Sequence, residues 1–377
     1  MQGIDVAVVG LGIVGASAAY AAARRGARVL ALDAGVAGAG TSATSFAWLN
    51  AVRKEPETYH RLNADGMAAH VALARELGGD AGHHDGGSLE WAQPGARADE
   101  LRERVARLAA RGYPATWIDR REAARMERAL VLADDLEHIA FYAADAWLDA
   151  PRLIRTLLRA AVQLGATVRE RARVDAMRAR GRRVETLIVD GERLAASAVL
   201  ICVGPSTETF LAPLGVHLPV GRVLGLLALT SPPAGPPLQR VVHAPGIHLR
   251  PDPSGGLLLG AEDLDPLAAA DESPRSLDAL AERLRERVAR VVPAAGATKI
   301  IDRRIGVRPM PADGHTIAGR IPSFDNAWVI ATHSGVTLGP LLGRYIADEI
   351  GGSPAHAALA AFRPERFARA PTAPMRR

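Results

Sequence analysis

A single cysteine, Cys202, excludes an internal disulfide and any metal centre built from several thiolates. Lysine is almost as scarce: only Lys54 and Lys299 occur, and every other one of the 46 basic residues is arginine. Such a skew looks like coding bias. It rules out a Walker phosphate loop, which needs a lysine after its glycines, and argues against a Schiff-base lysine. Aromatics make up 4% of the chain, too few for a base-stacking platform. The formal charge of +5 does not point to nucleic acid, because its arginines are interleaved with acids, as in Asp99-Glu-Leu-Arg-Glu-Arg and Asp119-Arg-Arg-Glu. That pattern belongs to solvated helix faces. No apolar run approaches the roughly 18 residues of a membrane span, and the longest, near Val199–Val203 and Val223–Leu229, are strand-sized. The chain enters its first apolar strand at Ile4, which leaves no room for a signal peptide, so cytoplasm is expected.

What the chain does have is concentrated at its start. Ile4 to Val9 is a short β-branched run of buried-strand type, followed by Gly10, Gly12 and Gly15 in the spacing GxGxxG. An Ala-rich stretch, Ala16 to Arg25, reads as a helix stopped by Gly26, and a second strand, Arg28 to Leu32, ends on Asp33. Gly10 permits the tight turn, Gly12 lets a pyrophosphate approach the backbone, and Gly15 lets the helix lie close on the strand. Ile13 and Val14, between them, open a helix whose free N–H groups and partial positive charge suit phosphate. Asp33 lies 18 residues beyond Gly15, placed to accept from a ribose diol. A dinucleotide site follows, without a choice between NAD and FAD.

Beyond Asp33, a small-residue loop from Ala34 to Gly40 leads to Thr41-Ser-Ala-Thr-Ser-Phe-Ala-Trp-Leu-Asn50. The hydroxyls of Thr41 and Ser42 suit phosphate oxygens or, alternatively, an ordinary helix N-cap. Trp48 and Asn50 could face a ring system. Tyr59 to Leu77 has helical spacing. His83-His84-Asp85 lies in a glycine-rich stretch and lacks the i, i+4 spacing of a helical metal site, so a solvent-exposed loop and no metal are expected. Helices are expected over Ala98–Arg111, Asp119–Met126, Asp145–Gly165 and Ser276–Val292. Strands are expected at Ser88–Ala92, Val168–Ala176, Arg183–Val189 and Ala198–Val203, the last ending on a Gly204 turn. Leu218–Leu229, Val241–Leu249 and Gly256–Gly260 read as strands of a second, antiparallel sheet, and Lys299–Val307 as a further strand that ends at Arg308-Pro309. Trp328–Ala331 then runs into His333-Ser-Gly-Val-Thr-Leu-Gly-Pro340, a second strand–glycine–helix unit.

In this order the pieces resemble the FAD-dependent D-amino-acid oxidase family in the broad sense, which includes glycine oxidase, sarcosine oxidase and the D-amino-acid dehydrogenases. The marks are the fingerprint with Asp33, Gly40-Thr-Ser42, Ile305-Gly-Val-Arg-Pro309 with Asp313-Gly314, and the segment 333–340. The resemblance implies FAD and an α/β fold: a Rossmann-like FAD-binding domain interleaved with an antiparallel-sheet substrate domain. The FAD domain would take 1–85, 143–215 and 300–352, the substrate domain 86–142 and 216–299, and 353–377 would be a polar tail. By the same resemblance, Gly10 to Gly15 and Asp33 hold the ADP half, Thr41 and Ser42 contact phosphates, and Val174 pairs its backbone with adenine. Gly335, Val336, Thr337 and Leu338 would lie along the flavin pyrimidine.

Arg308 matches the family arginine that grips a substrate carboxylate, a task for which a planar fork suits better than an ammonium. His248 stands where glycine-oxidase-like members carry an aromatic hydroxyl, and an imidazole there could titrate near neutrality. The cysteine of covalent-flavin members has no counterpart, so FAD should be non-covalent. Lys299 is poorly placed for the family's oxygen-activating lysine. The implied reaction is oxidation of an amino acid or secondary amine, with oxygen or another acceptor taking the electrons. A hydroxy-acid or polyol dehydrogenase and a non-catalytic FAD-binding component of a larger complex remain as alternatives.

Overall fold

The computed structural model describes residues 3–79 and 81–367. The buried run Ile4–Val9 becomes the middle of a six-stranded sheet. In order, that sheet contains Ile317–Arg320, Ala327–Ala331, Ala196–Ile201, Ile4–Val9, Val29–Leu32 and Thr167–Arg169. All pairings are parallel except that of Ile317–Arg320, which lies antiparallel at one edge. Apolar residues occupy both faces of the central strands, as parallel sheets require. Helix Ile13–Arg24 packs on this sheet between helices Ala150–Gln163 and Gly335–Ile350. Its crossing with the latter is close: a Cβ on Gly343 would lie 2.7 Å from the Ala18 nitrogen.

The second sheet has eight strands, ordered Ile300–Pro311, Val220–Thr230, Leu257–Gly260, Ile247–Pro251, Val241–Ala244, Ser88–Glu90, Ile139–Tyr142 and Ala115–Ile118. Its pairings are antiparallel apart from Val241–Ala244 with Ser88–Glu90. Helix Pro274–Val288 covers one face through Leu277, Leu280, Ala281, Leu284 and Val288, spaced along a single helical stripe. Residues 300–311, grouped with the FAD segments on sequence, form the edge of this sheet because they pair along their length with Val220–Thr230. Among the described residues no helix is long and apolar enough to cross a membrane.

Several local expectations need correction. Val168–Ala176 is divided between two sheets, as Thr167–Arg169 and Val174–Arg180. Val241–Leu249 is a hairpin that turns at Pro245-Gly246, with Gly246 at φ +75°. His83–Asp85 is a strand in a small sheet with Ala146–Leu148 and Trp48–Leu49, and the His84 ring stacks on Trp147 at 3.7 Å. The stacking surface and strand partner outweigh the glycines that made this stretch read as a loop. Thr41 and Ser42 do not start a helix, since residues 41–44 form turns. The stretch 353–367 is packed where a tail was expected: Leu359 and Phe362 are buried, and Arg363 pairs with Glu349 at 2.5 Å. The rest of the expected tail, 368–377, lies outside the described residues.

Candidate active site

A cavity of about 650 Å³ runs from the glycine turn to the face of the eight-stranded sheet. At its first end the fingerprint glycines differ in what they permit. A Cβ on Gly10 would lie 2.5 Å from the Cys202 carbonyl oxygen, and one on Gly15 would overlap the Gly10 carbonyl. One on Gly12 would meet only Ser42 Oγ, at 3.1 Å. Gly10 and Gly15 therefore close the turn beneath the cavity, while Gly12 keeps its wall low. Neither the helix beginning at Ile13 nor that beginning at Gly335 is capped by its own N-cap side chain, which leaves N–H groups at both termini for a ligand. The Ile13 N–H donates to Ser42 Oγ at 3.0 Å, and Thr41 Oγ1 donates to the Val307 carbonyl at 2.6 Å. Thr41 so ties this loop to the strand that carries Arg308.

Asp33 ends the second strand with Oδ2 accepting from Leu11 N at 2.7 Å and Oδ1 from Gly35 N at 2.8 Å. Two bonds leave acceptor capacity on the carboxylate. Ala34, beside it, is exposed. Val174 lies away from the cavity lining and pairs with Val189, while Ala172 N donates to the Asp33 carbonyl and draws this segment up behind the acid. Gly204, Gly335, Val336 and Thr337 line the cavity, whereas the Leu338 side chain is fully buried in the core.

Trp48 and Asn50 form part of the wall. Trp48 Nε1 donates to Asp145 Oδ2 at 2.8 Å and its ring lies 4.1 Å from that of His243. Asn50 closes a local turn through Trp48 O and Val52 N. Asp145 also accepts from Ser88 Oγ and the Tyr113 hydroxyl, yet burial raises its carboxyl to about 7.

At the second end, Arg308 Nη2 is held twice, by the Leu224 carbonyl at 2.7 Å and by Asp265 Oδ2 at 2.6 Å. Asp265 is itself fixed through Oδ1 by the Leu226 N–H at 2.9 Å. The Arg308 Nε is buried with no hydrogen-bond partner. The guanidinium is thus clamped through one nitrogen with its Nε still to be satisfied. Gly225 makes room for it: a Cβ there would approach the guanidinium to 3.0 Å.

His248 is three strands away in the same sheet, its ring edge-on to Phe46 at 4.7 Å. A side chain on Gly260 would overlap its Nε2. It does not titrate near neutrality: burial, then His243, Arg53 and Arg308, push its imidazole down to about 3. His243, whose Nε2 is buried without a partner, is likewise pushed to about 3, and His333 to about 4. Sequence reading also missed Lys54 and Asp265 as lining residues, while Lys299 lies on a separate surface groove. Lys54 carried a signal, as one of two lysines retained in an arginine-rich chain.

These histidines set the pH response of stability. Unfolded, each takes up its proton near 6.5; folded, only near 3 to 4. Between those values the unfolded chain holds more protons, so stability falls as pH drops, by up to about 1.4 kcal/mol per pH unit for each group. Asp145 acts oppositely, because the folded state keeps its proton up to about 7 and that contribution is lost as pH rises. With His70, also pushed to about 4 by burial, four imidazoles outweigh the two carboxyls, Asp145 and Glu127, that burial raises. The urea midpoint should therefore fall between about pH 6.5 and about pH 5, and less steeply in His243→Phe. A midpoint that holds steady would contradict neutral buried imidazoles.

Residues 5–349 match the DAO family model, described as FAD dependent oxidoreductase. A glycine oxidase from Geobacillus kaustophilus (strain HTA426) is 30% identical over 359 residues, covering 91% of this chain and 92% of the relative. The glycine oxidase of Bacillus licheniformis is 27% identical, covering 96% and 97%. The crystal structure of glycine oxidase from Geobacillus kaustophilus superposes with a TM-score of 0.83 at 27% identity, covering 96% of this chain and 98% of that one. With two open helix N-termini and Gly12 on one cavity, and the acid of the second strand bonded to the glycine turn beside it, the match over most of the chain has a physical basis: this enzyme belongs to the DAO family of FAD-dependent oxidoreductases.

Proposed function

We propose that the enzyme oxidises an amino acid or secondary amine to its imine, with Arg308 anchoring a substrate carboxylate. The observation that carries this is the clamped guanidinium with a partnerless buried Nε, in the same cavity as the open N-terminus at Gly335. When bound, the flavin would supply the two-electron acceptor for the hydride lost by the carbon that bears nitrogen. The chain's part is positioning. Asp265 and Leu224 fix the fork, so a carboxylate seated on it has a set direction. His248, neutral, offers a hydrogen bond without a second charge. The amine needs only to lose its proton, which then passes to water. A hydroxy acid would need a base at its hydroxyl, and imidazoles pushed to about 3 are poor bases, which favours the amine reading.

For the cofactor, we assign Gly12 to Val14 and Ser42 to the pyrophosphate, Asp33 to the ribose, Val174 to the adenine and Gly335 to Thr337 to the pyrimidine. Cys202 lines the cavity at the glycine end, and burial raises its thiol, keeping it protonated and unfit for a covalent flavin link. Asp33→Ala should weaken FAD binding by about tenfold to a hundredfold, the equivalent of one charge-assisted hydrogen bond. Equilibrium dialysis against FAD measures this, and an unchanged affinity would remove Asp33 from the site. The functional reading is tested by anaerobic mixing of the purified enzyme with a panel of amines, amino acids and hydroxy acids. Bleaching of the flavin by amines alone supports it, and bleaching by hydroxy acids alone overturns it.

A further inference from the structure

Three cations line the cavity: Arg53, Lys54 and Arg308. The fold supplies counter-charges to two of them. Arg53 reaches Glu90 at 2.9 Å and Glu262 at 3.1 Å, and Arg308 reaches Asp265 at 2.6 Å. Lys54 is half-buried and has no carboxylate within ion-pair distance among the described residues. The nearby acids are already engaged: Glu55 is held by Arg107 and Arg111, and Glu262 by Arg53. Burial and the neighbouring Arg53 push the Lys54 ammonium down to about 8, the direction expected of a cation lacking a counter-ion. His333 feels both Lys54 and Arg308, so the two cations border one ligand volume.

A partly desolvated ammonium with no acid of its own is stabilised by an anion that arrives with the ligand. We infer that Lys54 is a specificity-determining residue that takes a second carboxylate, so that the substrates are amines carrying two carboxylates, of the N-carboxyalkyl amino acid class. One carboxylate sits on Arg308 and the other on Lys54. The inference rests on the amine-oxidation reading above and narrows it.

The probes are oxydiacetate and methoxyacetate, ethers that differ by one carboxylate and have no nitrogen to oxidise. Each is titrated into the FAD-loaded enzyme and followed by calorimetry and by perturbation of the flavin absorbance. Wild type should bind oxydiacetate about tenfold or more tightly than methoxyacetate, as one charge-assisted contact implies. In Lys54→Met the two affinities should come within about twofold of each other, and Lys54→Arg should restore a preference. Equal binding by wild type, or a preference that survives in Lys54→Met, overturns the inference. So does a Lys54→Met enzyme that loses both probes equally and shows an altered flavin spectrum before any ligand is added, since the lysine would then face the cofactor. If neither probe binds while amines still bleach the flavin, only the Lys54 assignment fails. If no amine bleaches it either, the amine reading fails with it.

Discussion

Arg308→Ala should retain FAD and the fold yet lose about 10²-fold or more in kcat/KM toward a carboxylate-bearing amine. The fold should survive because the residue lies on a strand whose backbone pairs with Val220–Thr230, and Asp265 keeps its bond to the Leu226 N–H after its ion-pair partner is gone. The rate should fall because removing the fork loses both affinity and the direction in which the reacting C–H is held. Arg308→Lys should recover part of the loss. A point charge can satisfy Asp265 but cannot reproduce two donors in a plane. His248→Ala should cost less, and its pH profile should parallel that of wild type above about pH 5, because the imidazole is already neutral there. Stopped-flow flavin reduction checks all three. An amine without a carboxylate is the control, since its slow oxidation should hardly respond to Arg308→Ala. Equal rates for wild type and Arg308→Ala on the acid would mean that the substrate is not an acid.

The second large effect separates two glycines of one motif. Gly15→Ala places a methyl inside the shell of the Gly10 carbonyl, a backbone atom that cannot swing aside. Helix Ile13–Arg24 would have to lift from its strand, so a loss of about 3 kcal/mol or more of stability is expected, with little flavin retained. Gly12→Ala has an ordinary φ of −65° and meets only Ser42 Oγ, a side-chain atom, so the apoprotein should unfold near the wild-type midpoint while FAD binds more weakly. Denaturation midpoints and flavin content of the purified variants test the pair. A Gly15→Ala protein as stable as wild type would show that helix and turn are not in close contact.

The contrast between these sites explains what the sequence could reveal. The glycine turn and Asp33 are legible because strand, turn, helix and acid are contiguous, and each residue answers to a local geometric demand. The central strands of both large sheets are legible from their apolar runs, but the short strands Ala115–Ile118, Ile139–Tyr142 and Ile317–Arg320, at or beside the edges, are not, nor is the point where one run changes sheets, between Arg169 and Val174. Arg308 is legible only through its flanking motif. Asp265 is 43 positions away, at the start of the short helix Asp265–Ala270, and meets Arg308 because both are held against Val220–Thr230, a juxtaposition no local pattern encodes. The protonation of His248 is not legible, since it depends first on burial and then on His243, Arg53 and Arg308, groups brought around it by separate strands and loops. His83 and His84 read as solvated because the ring that covers His84, Trp147, lies far along the chain.

The order of the parallel sheet also constrains how the enzyme is made. Ile4–Val9 finds Val29–Leu32 soon after both leave the ribosome, but its other edge waits for Ala196–Ile201, which in turn waits for Ala327–Ala331. At roughly 5–20 residues per second, that edge stays open for on the order of tens of seconds, an unpaired template on which another nascent chain can add a strand. Helix Gly335–Ile350, which closes the cofactor cavity, emerges later still. A chain released early would therefore display an intact glycine fingerprint with nowhere to hold a flavin, and the supply of holoenzyme depends on completing translation before that edge is captured.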